Sequence, residues 1–312
     1  MRPPAWPRSP TREAVNPLRE FVRGAAGQLA AAGVASPEPD AIELAAHVLG
    51  TDAREVRRAL VVGMPLPPGF AERFGDLVEE RARRIPLQHL TGRAYFRRLT
   101  LAVGPGVFIP RPETEIVAGL AIEAAQAAGV AEPIVVDLCT GSGAIALAVA
   151  DELPTAQVYA VEVSDLAHAW ARRNLETLAL AVELRLGDAT TAFDELVGLV
   201  DVVVSNPPYI PVGQVPVDAE VAQHDPHLAL FGGSGDGLAI PRAIVSRAAT
   251  LLRPGGVLVM EHADTQGAAL LRTLGGSGLW LDPEDHRDLT ARPRAIRARR
   301  ADARGAAGPG AG

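Results

Sequence analysis

A five-residue turn, Cys139-Thr140-Gly141-Ser142-Gly143, constrains this chain more than any other stretch. Before it runs Ile134-Val135-Val136-Asp137-Leu138, short, β-branched and legible as a buried strand. After it, Ala144 to Asp151 reads as a helix. A strand that enters a helix through a tight turn is half of a β-α-β unit, and Gly141 and Gly143 let the backbone approach a ligand closely. The pattern continues downstream. Val158 to Glu162, Val182 to Gly187, Leu199 to Val204 and Val257 to Glu261 are further strand-length runs, and a helix is expected from Leu238 to Leu252. A terminal pair, about Gly278 to Leu281 and Ala295 to Arg299, completes the sheet. Alternating strands and helices predict an α/β fold with a parallel sheet, whose ligands bind at the carboxyl ends of its strands.

Four features fall on that edge: the glycine turn, Glu162, Asp188 and Asn206. Each has an ordinary alternative, since Glu162 could be a surface acid, Asp188 a helix cap and Asn206-Pro207 a strand-ending turn. Their coincidence on one edge is what points to a site. Glu162 lies 21 residues past Gly141, the placement from which an acid accepts both hydroxyls of a ribose. In Ser205-Asn206-Pro207-Pro208-Tyr209-Ile210 the paired prolines end the strand, leaving a carboxamide, free carbonyls and an aromatic ring at its tip. Such acceptors suit a planar –NH2, because each N–H needs one. A nicotinamide site would want Gly-x-Gly-x-x-Gly, and Gly141-Ser142-Gly143-Ala144-Ile145-Ala146 lacks the third glycine.

Ahead of this half, residues 17–84 carry helical periodicity, with Leu18, Phe21, Val22, Ala25 and Leu29 on one face and Gly33 as a stop. No glycine loop or metal-spaced cluster accompanies these helices, so they read as a recognition module. Residues 85–110 read as a β-hairpin linker, and Arg111 and Glu115 either line a site or solvate a helix start. Proline-rich residues 1–16 and the Gly/Ala-rich tail 301–312 are expected to be disordered. A net charge of −7 argues against a broad nucleic-acid-binding face. One cysteine excludes an internal disulfide framework and suits the cytoplasm, and no apolar run approaches the roughly 20 residues that span a bilayer.

Asp137-x-x-x-Gly141-x-Gly143 with an acid on the second strand resembles S-adenosylmethionine-dependent methyltransferases, and Asn206-Pro207-Pro208-Tyr209 resembles their amino-methylating members. Ile85 to Gly92, Phe108 to Glu115, Leu228 to Gly233 and Arg287 to Thr290 extend the likeness to one family, the PrmC/HemK release factor glutamine methyltransferases. The resemblance implies a seven-stranded Rossmann-like methyltransferase sheet over 111–300, joined by the hairpin to an N-terminal helical domain. It implies S-adenosyl-L-methionine as cofactor and, as methyl acceptor, the Gly-Gly-Gln glutamine of class I peptide chain release factors. Cys139, Thr140, Gly141, Ser142, Gly143 and Glu162 would bind the cofactor, with Asp188 and Ala189 at its adenine. Asn206, Pro207, Pro208 and Tyr209 would hold the glutamine, with Asn206 also bordering the cofactor. Cys139 stands where that family has glycine, and an extended backbone there, which a small thiol fits, is the expectation. Asp225-Pro226 in place of Glu-Pro reads as a minor loop change, and Thr290 to Pro293 lacks the usual glycine. A ribosomal-protein glutamine, or adenine N6 in a nucleic acid, would be the alternative acceptor.

Overall fold

The computed structural model describes residues 16–216 and 218–302. The expected disorder of residues 1–15 and 303–312 concerns stretches outside those described. The described residues form two compact units that divide between Thr91 and Gly92.

The first unit is helical. α1 (Pro17–Ala31) starts where the Asn16 side chain accepts from the Arg19 N–H and Pro17 presets the first turn. α2 (Pro37–Leu49) ends on Gly50 in the left-handed region, and α3 (Ala53–Val62) is capped by Asp52. α4 (Phe70–Ala82) and the short α5 (Leu87–Thr91) complete the unit. Its core gathers the periodic residues Leu18, Val22, Leu29, Leu44 and Val56 around a stacked Phe70–Phe74 pair, with ring centroids 5.3 Å apart. One polar pair is buried with them, Arg81 Nε donating to Asp40 at 2.7 Å.

The second unit opens with a hairpin, β1 (Arg93–Phe96) and β2 (Leu99–Ala102), followed by α6 (Thr114–Gln126). Then come β3 (Ile134–Leu138), α7 (Ala144–Glu152), β4 (Gln157–Glu162), α8 (Asp165–Leu178), β5 (Val182–Leu186) and β6 (Val200–Ser205). α9 (Ala219–His224) and α10 (His227–Leu230) precede α11 (Ala239–Leu251), β7 (Leu252–Glu261), α12 (Gly267–Gly276), β8 (Trp280–Arg287) and β9 (Pro293–Arg300). The seven-stranded sheet runs β5-β4-β3-β6-β7-β9-β8. Its first five strands are parallel, as the alternation predicts. The terminal pair completes the sheet with β9 antiparallel to both β7 and β8: no helix lies between β8 and β9, and a direct return reverses direction.

Alternation along the strands splits the core into two layers. Val202 and Val204 of β6 face α6 and α7, while Val203 faces α11. All three are fully buried, so this central strand reads as a continuous apolar run. The chain winds outward from β3 to β5, then crosses to β6 on the other side of β3. That reversal leaves a crevice between the carboxyl ends of β3 and β6.

Candidate functional site

A cavity of about 470 Å³ occupies that crevice. One half of its wall follows from β3. Asp137 is wholly buried and accepts from the Thr140 hydroxyl at 2.6 Å and the Ala146 N–H at 3.2 Å through Oδ2, bracing the turn against α7. Its Oδ1 takes no hydrogen bond, and burial pushes the carboxyl up to about 7. Asn174 of α8 ties the same turn to β2, donating to the Ser142 and Ala102 carbonyls and accepting from the Ala102 N–H. At the tip of β4, Glu162 accepts from the Gly141 N–H at 2.9 Å and the Ser164 N–H at 2.8 Å, one on each oxygen. Spare lone pairs remain on both oxygens. Asp188 follows β5, its Oδ1 held by the Thr190 N–H and hydroxyl. Both acids line the cavity, and Ile145, Val161, Val163 and Ala189 give it apolar walls. Carboxylate acceptors beside an apolar slot fit the ribose hydroxyls and purine ring of S-adenosylmethionine.

The other half follows from β6. Asn206, Pro208, Tyr209 and Ile210 line the cavity. Their turn is held from behind: the Ile210 N–H donates to Leu230 at 2.8 Å, and the Gln266 amide donates to the Tyr209 carbonyl at 2.8 Å and the Asp236 carbonyl at 2.9 Å. Gly237 packs so closely that a Cβ there would lie 2.1 Å from the Tyr209 carbonyl oxygen. Asn206 Nδ2 donates to Thr114 Oγ1, at the head of α6, at 3.3 Å. The Tyr209 hydroxyl donates to Glu261, the last residue of β7, at 3.2 Å. Burial pushes Glu261 up to about 7, opposed by the hydroxyls of Thr114 and Tyr209 and by Arg294. Phe108 and Arg111 also line the wall, the guanidinium 4.9 Å from the ring centroid.

The structure therefore brings Cys139, Thr140, Gly141, Ser142, Glu162, Asp188, Ala189, Asn206, Pro208 and Tyr209 to one cavity. Gly143 stands behind the wall at φ +85°, capping α7, and Pro207 is buried outside the lining. Two expectations need correction, and one open pair is resolved. Cys139 is not extended but sits at φ +68°, in the region that favours glycine, because the chain must turn from β3 toward α7. Asp225 is not a minor loop residue: it is buried and paired with Arg111 at 2.5 Å. Arg111 thus belongs to the wall, whereas Glu115 accepts from the Arg97 N–H outside it. The sequence reading missed Thr114, Gln266 and Glu261. Glu261 carried a signal, an acid ending the buried run Val257 to Met260, the same mark that singled out Glu162.

Two family descriptions match this chain: "PrmC N-terminal domain" over residues 20–92 and "Methyltransferase small domain" over residues 99–223. Among solved structures, the hMettl16 catalytic domain in complex with the MAT2A 3'UTR hairpin 6 shares the fold. It has a TM-score of 0.51 at 16% identity, over 72% of this chain and 82% of that one. Fold and site together define an S-adenosylmethionine-dependent methyltransferase. The release factor glutamine methyltransferase of Streptomyces coelicolor is 52% identical, covering 92% of this chain and 99% of that protein. The one from Mycobacterium tuberculosis is 45% identical over 91% of each. The chain belongs to the release factor glutamine methyltransferase family. A 4-amino-L-phenylalanine/4-methylamino-L-phenylalanine methyltransferase of Streptomyces pristinaespiralis is also similar, 40% identical over 84% of this chain and 89% of that protein.

Proposed function

We propose that this chain methylates the side-chain amide nitrogen of the glutamine in the Gly-Gly-Gln motif of class I peptide chain release factors. The observation that carries the reading is the Asn206 amide on the cavity wall. Its Nδ2 is engaged by Thr114, which leaves Oδ1 as the acceptor it can offer. When bound, S-adenosylmethionine supplies an electrophilic methyl on a sulfonium; Glu162 would hold its ribose, with Asp188 and Ala189 at the adenine and the Cys139 to Gly143 turn along its length. A carboxamide nitrogen is a poor nucleophile, its lone pair being delocalised into the carbonyl. Asn206 Oδ1 would accept from an amide N–H, aim the nitrogen and stabilise positive charge as it develops. Pro208 and Tyr209 would pack against the amide plane. The extra proton leaves the nitrogen after transfer, so no strong base is required beforehand. The net charge of −7 supports a protein acceptor over a nucleic acid, and the single cysteine supports a cytoplasmic setting.

Radiolabelled methyl transfer to purified release factor, run beside tRNA, ribosomes, DNA and 4-amino-L-phenylalanine, tests the reading. Label should enter the factor and be lost when its loop glutamine is replaced by alanine. Label in another acceptor but not in the factor would overturn it.

A further inference from the structure

Behind the acceptor side of the cavity lies a buried carboxyl that no step above uses. Glu261 is only 2% exposed, at the end of β7, and accepts the Tyr209 hydroxyl on Oε1. Its Oε2 is buried and takes no hydrogen bond, an uncommon state for a buried oxygen. Beside this carboxyl is the Thr114 hydroxyl, whose oxygen accepts from Asn206 Nδ2. A hydroxyl has one hydrogen to give. If Thr114 gives it toward Glu261, its oxygen is left to accept, and the Asn206 side chain must present its NH2 inward and its carbonyl to the cavity. If the hydroxyl turned the other way, the amide would flip and meet a substrate –NH2 with its own hydrogens.

We propose that Glu261, acting through Thr114, sets the polarity of the Asn206 amide and so selects acceptors that present N–H groups. Both are positioning residues in this scheme, which rests on the amide-methylation reading. Protonated Glu261 would gain an O–H while keeping acceptor lone pairs, so it would no longer hold the Thr114 hydrogen as a carboxylate does, and an O–H given to Thr114 would reverse the chain. The charged and titratable groups facing it are Arg294 from β9, which favours the carboxylate, and Glu113 ahead of α6, which disfavours it. The Tyr209 hydroxyl, which donates to it, also favours the carboxylate. Since burial pushes Glu261 up to about 7, turnover should rise with pH across the neutral range.

Thr114→Ser, Thr114→Val and Glu261→Gln, each in the full chain, test this. Thr114→Ser keeps the hydroxyl and should turn over within about twofold of the parent. Thr114→Val and Glu261→Gln should each lower kcat about tenfold, with S-adenosylmethionine affinity unchanged by calorimetry. The double variant should fall no further than the worse single one, because both act on one amide. Glu261→Gln should also lose the neutral-range rise in kcat. Exchange of the Asn206 side-chain amide hydrogens, followed by NMR, needs no acceptor substrate and judges the chain even if release factor proves the wrong substrate. Slow exchange in the parent and fast exchange in Thr114→Val is the expected result. Parent-like kcat in Thr114→Val, independent multiplication of the two losses, or equal exchange in parent and Thr114→Val would overturn the proposal.

Discussion

Cys139 occupies a left-handed conformation that costs a residue with a Cβ about 1–2 kcal/mol relative to glycine. Burial pushes its thiol pKa well up, so it remains a neutral packing group. Cys139→Gly should be more stable than Cys139→Ala by about 1 kcal/mol in denaturant titrations, since both lose the thiol and only alanine keeps the strain. Ala291, at φ +63° in the turn before β9, obeys the same logic. At Asn206, alanine removes the acceptor but not the cofactor walls. Methylation should fall about a hundredfold or more while cofactor affinity holds; near-normal turnover would remove Asn206 from the mechanism. Glu162→Gln should instead weaken cofactor binding, by roughly ten- to a hundredfold in calorimetry, because a charge-assisted bond becomes neutral. An –NH2 would also face the Gly141 or Ser164 N–H. Unchanged affinity would displace the ribose from Glu162.

At the scale of elements, the site is a set of strand ends. β3, β4, β6 and β7 finish level, so Asp137, Glu162, Asn206 and Glu261 gather although they are far apart in the chain. Two of these acids are buried with their folded pKa raised to about 7, above an unfolded value near 4. Between those values the folded state keeps protons that the unfolded chain releases. Their contribution to stability is therefore full at acid pH and is lost as pH rises toward neutrality. His168 opposes them, because burial lowers its pKa and its contribution grows with pH. Asp137→Asn should accordingly reduce the fall in stability between about pH 5 and pH 7 in denaturant melts. An unaltered slope would mean that Asp137 is ionised throughout.

On the scale of the whole molecule, each unit carries its own apolar core, and the chemistry described above lies in the second. We propose that the helical unit selects the substrate. The reactive glutamine sits on a much larger protein, and binding energy from remote contacts can be spent on orientation at the amide. Deleting the helices over residues 17–84 should depress methylation of intact factor strongly. It should spare cofactor binding and the slow methylation of a short loop peptide, once circular dichroism shows the truncation to be folded. A folded truncation that methylates whole factor as fast as the full chain would rule the docking role out.

Local chemistry made much of this legible in advance. β-branched runs, a glycine turn and paired prolines act over a few residues, so the strands, the turn and the cavity residues from Cys139 to Ser142 and at Asn206 could be read in order along the chain. The antiparallel return of β8 and β9, the left-handed Cys139, the Asp225–Arg111 pair and the contact of Glu261 with Tyr209 and Thr114 could not. Each depends on which groups meet when strand ends align, and burial then sets the protonation of acids such as Glu261. Sequence order carries neither quantity; only the packed sheet decides them.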